Sequence, residues 1–441
     1  MPRFIARCIT FLLLCAVFGT GLQLSAGPKM NPLSQRGPDA DVKDFRLEEL
    51  KSALDKMEPG PDHDYFAGIL ANRENHIAES ISRLTRALPT IRASRPDRAA
   101  LALEALADDY AKSFRYAAAA RTDDELLVHF AHQLTPGDLK ETQDDAEIMR
   151  ILRDAPPQTI AWDGPVKLKA ARNPLNSQNV DLTVNGVRGP WLLDTGANLS
   201  LVTESFAGRL GLEPLPGIAH TQAGLTGIEN PLHVALLSTL QMGGATLHNV
   251  VIMVLPDANM NINLGKSSYQ INGIIGDPVF QALGTITFLQ NGQFEAGIQA
   301  QANGDGARMY MRELTPVVEC KVKGKYLPFS FDTGAARTDF SDRYYREFRS
   351  QSKSWKERKE ESSGAGGSIK RKVFIQPEVT LGIGGKTVVL KNVPISTSQF
   401  GTTISELFGN LGQDMPAGFE SFTLDFKSMS FSLGQPLSSQ P

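Results

Sequence analysis

The second half of this chain carries one plan twice. "VDLTVNGVRGPWLLDTGA", residues 180–197, aligns with "VECKVKGKYLPFSFDTGA", residues 318–335, and in each copy a glycine (Gly186, Gly324) stands eight residues before an aspartate. "STLQMGGATLHNVVIMV" then matches "EVTLGIGGKTVVLKNVPIS", with Gly243 following Asp194 by 49 residues and Gly384 following Asp332 by 52. Last, "NGIIGDPVFQALGTITFLQNGQFEAG" matches "FGNLGQDMPAGFESFTLDFKSMSFSL", with Gly276 following Asp194 by 82 residues and Gly412 following Asp332 by 80. The runs are short, alternate in polarity and are broken by Gly and Asn, which is strand-and-turn texture. Each copy ends in a predicted hairpin, the first turning at Asn291-Gly292. The fold expected is mainly β: two pseudo-symmetric lobes, residues 165–303 and 308–437, behind an α-helical domain.

The point of closest identity is chemically expensive. Asp194 and Asp332 each follow an apolar strand, where an unpartnered carboxylate costs desolvation energy. One Asp-Thr-Gly alone carries little information. Two copies, each with an apolar-Gly element at matching distance downstream, resemble the aspartic peptidases, both retroviral-type and pepsin-like. The resemblance covers roughly residues 165–437.

That resemblance implies that two Asp-Thr-Gly loops meet at a pseudo-twofold axis. Asp194 and Asp332 would share one proton, one carboxylate activating a water while the other protonates the carbonyl oxygen. Gly196 and Gly334 would leave backbone N–H groups free to approach the carboxylates, and Thr195 and Thr333 would bond across the axis. Ser200 and Thr338, each six residues after its aspartate, match the supporting hydroxyl. Ile274-Ile275-Gly276 fits the downstream element; Asn410-Leu411-Gly412 departs from it, with a polar residue where an apolar one is usual. "HTQAGLTGIENPLHV" lies where the family places its flap, with Gly224 and Gly227 supplying the bend; an ordinary surface hairpin is the plainer reading. The matching zone of the second copy, "SKSWKERKEESSGAGGSIKRK", reads as a solvated, mobile arm in which Trp355 would be costly to expose. His220, His233 and His248 have no Ser or Cys elbow motif near them, so no triad is proposed.

Residues 44–152 change texture to helical. "DYFAGILANRENHIAESISRLTRALP" predicts two antiparallel helices turning near Asn75, and "DRAALALEALADDYAKSFRYAAAARTDDELLVHFAHQL" predicts two longer ones. Gly68, Ser80 and Ala87 give the first pair a resemblance to a tetratricopeptide hairpin; the alternatives are a helical adaptor for a protein partner or a plain helical prodomain. His129 and His132 have helical metal spacing without an acidic or cysteine companion and read as ordinary helix. Residues 153–164 read as a linker and 27–43 as a flexible lead.

The first 26 residues have a secretory layout: Arg3 and Arg7, then "ITFLLLCAVF", then small residues for cleavage near Ala26. The alternative is an uncleaved membrane anchor, although a span wants about 20 apolar residues. Cys8 and Cys15 lie inside that segment, so Cys320 is left alone and no internal disulfide is available. Formal net charge is −3, which gives no reason to expect nucleic acid. The expected protein is an exported, periplasmic or secreted aspartic endopeptidase acting on peptide or protein substrates, with no cofactor or metal. It would touch membrane only through an uncleaved N-terminal segment. The competing readings are a non-catalytic peptide-binding or scaffold protein of the cell envelope, a retired enzyme whose aspartates hold the lobe interface, and lobes that each pair with another chain.

Overall fold

The computed structural model describes residues 37–222, 229–298, 306–364, 367–397 and 406–438. The N-terminal secretory-type segment, and the flap glycines Gly224 and Gly227, lie outside the described residues.

Among the described residues seven α-helices come first: α1 (Pro38–Lys43), α2 (Leu47–Leu54), α3 (Pro61–Arg73), α4 (Ile77–Ser94), α5 (Pro96–Lys112), α6 (Tyr116–His129) and α7 (Pro136–Ile151). Proline opens α3, α5 and α7, where its missing N–H costs no helical bond. The turn between α3 and α4 is made at Asn75, which takes the left-handed conformation at φ 59°. Gly68 allows α3 and α4 to approach closely: a Cβ there would come within 2.6 Å of the Leu84 side chain. Ser80 and Ala87 are buried in the same hairpin.

Part of the segment read as a flexible lead is helix α1. Its polar sequence gave no apolar period, yet Val42 is buried and Asp39 accepts two bonds of 2.8 Å from the Arg98 guanidinium. Likewise the linker carries a strand, Thr159–Trp162, paired antiparallel with Ala245–His248. The charged zone expected to be a mobile arm is a β-ribbon, Lys356–Gly364 against Gly367–Ile375, and Trp355 is buried beside Tyr344 and Tyr345. Backbone pairing along a strand tolerates alternating charge, which the composition alone reads as solvated coil.

The β region is mainly antiparallel and repeats its parts. Gln178–Val184 and Val187–Leu193 form a hairpin with Asn185-Gly186 at positive φ; Thr315–Val322 and Lys325–Phe331 form its counterpart with Lys323-Gly324 at positive φ. A six-stranded sheet joins the repeats. Its order is Val166–Arg172, Gln293–Ala296, Thr285–Leu289, Ser421–Asp425, Ser430–Leu433 and Ala307–Arg312, so that the first three strands come from one repeat and the last three from the other. At its centre Thr287 pairs with Thr423, their hydroxyls 2.9 Å apart, and Phe288 stacks on Phe422 with centroids 4.8 Å apart.

The helices share their cores with the β region, and both belong to one compact unit beginning at Pro38. Phe45, Leu47 and Leu50 pack in one cluster with Tyr310, Val317 and Leu407 of the second repeat; Tyr116, Ile148 and Met149 pack in another with Leu201, Leu232 and Met253 of the first. Arg343 donates to the Asp44 carbonyl at 2.8 Å, and Glu147 of α7 accepts from the His220 backbone N–H at 3.0 Å. The helical segment read as a separate domain therefore supplies part of the apolar cover of each β repeat. A chain truncated to start at Gln158 is expected to aggregate or melt well below the full chain. Light scattering and thermal unfolding check this, and a truncated chain as stable as the parent would show the helices to be dispensable.

Candidate active site

Each Asp-Thr-Gly loop is set by a crossing of three strands. In the first repeat, Trp191–Leu193 runs parallel to Gly273–Ile275, which is also antiparallel to Leu201–Val202, and Asp194 donates its N–H to the Ile275 carbonyl at 3.1 Å. In the second, Ser330–Phe331 runs parallel to Asn410–Leu411, which is antiparallel to Asp339–Phe340, and Asp332 donates to the Leu411 carbonyl at 3.0 Å. Apolar strand followed by a tight loop thus delivers each carboxylate to the same place relative to its own scaffold.

The two loops then grip one another. Thr195 and Thr333 are fully buried. The Thr195 N–H donates to the Thr333 hydroxyl at 3.0 Å, and the Thr333 N–H to the Thr195 hydroxyl at 3.1 Å. Each hydroxyl in turn donates across the interface, Thr195 to the Phe331 carbonyl at 2.9 Å and Thr333 to the Leu193 carbonyl at 2.8 Å. Four bonds thereby satisfy every polar atom that the threonine side chains bury.

Both carboxyl groups are half-buried and lie within hydrogen-bonding reach of one another. Asp194 sits against Gly334 and Asp332 against Gly196; a Cβ at either glycine would overlap the opposite carboxylate. Gly196 donates its N–H to Asp194 Oδ1 at 2.9 Å; Gly334 and Ala335 donate theirs to Asp332 Oδ1 at 2.8 and 2.9 Å. Burial, and next the adjacent Asp332 charge, push the Asp194 carboxyl well above the usual carboxylate range. Such a pair can hold one proton between two carboxylates.

Ser200 and Thr338 occupy equivalent positions but do not bond the aspartates. Each hydroxyl accepts the N–H of the downstream glycine, Gly276 at 3.0 Å and Gly412 at 3.1 Å, fixing the loop from below. Several partners escaped sequence reading. Thr338 donates to Asp414 at 2.7 Å, and Ser177 donates to the Gly334 carbonyl at 3.0 Å across the repeats. Asn410 donates to Asp332 Oδ2 at 3.0 Å. The signal for Asn410 was its departure from the apolar pattern; for Ser177 there was none, because its bond joins residues 157 positions apart.

Residues 180–279 match a family model described as aspartyl protease. That span holds the first Asp-Thr-Gly loop and its downstream glycine element. No curated protein matches the chain. Among solved structures it is similar to conglutin gamma, a basic 7S globulin from lupine seeds, at 9% identity over 62% of this chain and 95% of that one, with a TM-score of 0.39.

A carboxyl held protonated by its surroundings loses stability as pH rises. Asp194, raised in the folded state, contributes fully below its unfolded value near 3.8, and that contribution drains away as pH climbs toward the folded value. Asp194→Asn is therefore expected to melt above the parent at neutral pH, with the gap closing toward pH 4. Melting temperatures measured across that range check it; a variant less stable at neutral pH would contradict it.

Proposed function

We propose that the protein is an aspartic endopeptidase in which Asp194 and Asp332, from two lobes of one chain, activate water for attack on a peptide bond. The observation that carries this is the reciprocal Thr195–Thr333 grip, which holds two carboxyl groups against one another. Support comes also from the aspartyl protease match over residues 180–279. In this reading the dyad holds a single proton at mildly acidic pH. The ionised carboxylate takes a proton from water as the water's oxygen bonds the carbonyl carbon, and the protonated carboxyl gives its proton to the carbonyl oxygen. The tetrahedral intermediate then collapses with expulsion of the amine, which takes up a proton. No covalent enzyme intermediate and no cofactor is needed. Peptide or protein is the substrate, and the helical segment is a surface for a protein partner.

Either Asp194→Asn or Asp332→Asn alone is expected to lower kcat by about three orders of magnitude or more, because residues acting as a unit are not additive. Turnover of a peptide library between about pH 3 and 7 measures this, the range in which coupled carboxylates share a proton. Substantial turnover by one variant would defeat the shared dyad; intact peptides with saturable binding to the parent would favour a binding protein.

The basic, apolar and small-residue order of the first 26 residues supports export to the periplasm or medium, with cleavage near Ala26. The intact mass of protein recovered from those fractions is expected to correspond to a chain starting near Gly27. A full-length mass in a membrane fraction would instead make the segment an anchor.

A further inference from the structure

The two halves of the site differ in one respect that the repeat does not require. In the first repeat the strands flanking the carboxylate meet at Leu192 and Ile274, both buried and apolar. The equivalent pair in the second repeat is Ser330 and Asn410. The Ser330 hydroxyl donates to Asn410 Oδ1 at 2.7 Å, with the Gly409 carbonyl at 3.2 Å, and this turns the amide nitrogen toward Asp332 Oδ2, 3.0 Å away. Asp332 thus accepts three donors, from Gly334, Ala335 and Asn410, whereas Asp194 has the backbone N–H groups of Gly196 and Gly334 beside it and, with Ile274 at the position of Asn410, no side-chain amide.

We propose that Asn410, oriented by Ser330, is a positioning residue that fixes Asp332 as the charged member of the pair and leaves the shared proton on Asp194. This rests on the dyad reading above. Three N–H donors suit a carboxylate, which only accepts, better than a carboxylic acid, which must also donate. Placing the charge on Asp332 agrees with the upward displacement of Asp194. The water is then deprotonated by Asp332, and the carbonyl oxygen is protonated by Asp194. Other charged groups near this loop are already engaged: Arg337 by the Asn392 carbonyl, Asp414 by the Thr338 N–H and hydroxyl, and Asp339 by Arg371. Asp194 faces Asp332 across the interface.

The assignment has a directional signature. Asn410 stabilises the singly and the doubly ionised pair alike, because Asp332 is charged in both, and stabilises only weakly the form carrying two protons. Replacing it with the apolar residue type of the first repeat, Asn410→Leu, is expected to raise the acid midpoint of kcat/KM by about one pH unit, the scale of one hydrogen bond to a charge. The alkaline midpoint should stay in place. Ser330→Ala, which keeps Asn410 but frees its amide, should move the acid midpoint the same way by less, and serves if the first variant folds poorly. Carboxyl-carbon NMR titration of 13C-Asp-labelled full chain reads the pair's two macroscopic steps without needing turnover. An acid step that stays put in both variants, or an alkaline step that moves instead, would overturn the assignment. If both Asp→Asn variants are inactive while the acid step is unmoved, only the role of Asn410 fails; if either keeps parental turnover, the dyad reading fails with it.

Discussion

Everything at the site hangs on two threonines exchanging hydrogen bonds where neither is exposed to solvent. Thr195 and Thr333 each use a backbone N–H and a hydroxyl, and every one of these four donors finds its acceptor in the other repeat. Leaving such a group unpaired in the interior costs roughly 1–3 kcal/mol, so the two loops have strong reason to close on one another in a single register. Closing them brings Asp194 against Gly334 and Asp332 against Gly196, contacts that side chains larger than hydrogen would forbid. The proximity of two carboxyl groups is thus a consequence of neutral bonding beneath them, which offsets the cost of placing them together.

Most of this was legible in the sequence, because repetition turns weak signals into a strong one. The Gly186 and Gly324 turns, the Gly243 and Gly384 turns, and the downstream Gly276 and Gly412 elements all fell at matched distances, and each occupies the expected place. What escaped was non-repeating or non-local. Helix α1 is held by Arg98, 59 residues from Asp39, and no local period announces it. The ribbon Lys356–Gly364 has the composition of solvated coil and is specified by its pairing partner. The boundary between helices and strands was visible as a change of texture, whereas the cores they share were not, since neither Tyr310 nor Leu407 differs in sequence from an ordinary lobe residue.

A pair of identical chains meeting at a twofold axis has identical surroundings for both carboxylates, and any substitution enters twice. Duplication within one chain removes that constraint. Leu192 and Ile274 in the first repeat correspond to Ser330 and Asn410 in the second, at matching parallel strand pairings. The backbone remains repetitive while the side chains at this contact are apolar in one repeat and polar in the other.

The helices also change what the two halves are free to do. Two lobes joined only by a six-stranded sheet could pivot about its central strands, Thr285–Leu289 and Ser421–Asp425. Here the helical layer is anchored at both ends, through Phe45 and Leu50 to the second repeat and through Tyr116 and Met149 to the first. Rotation of one repeat against the other would shear at least one of these apolar contacts, whose burial resists displacement. The layer therefore acts as a brace: a third structural member, besides the shared sheet and the threonine grip, ties the two repeats to one another.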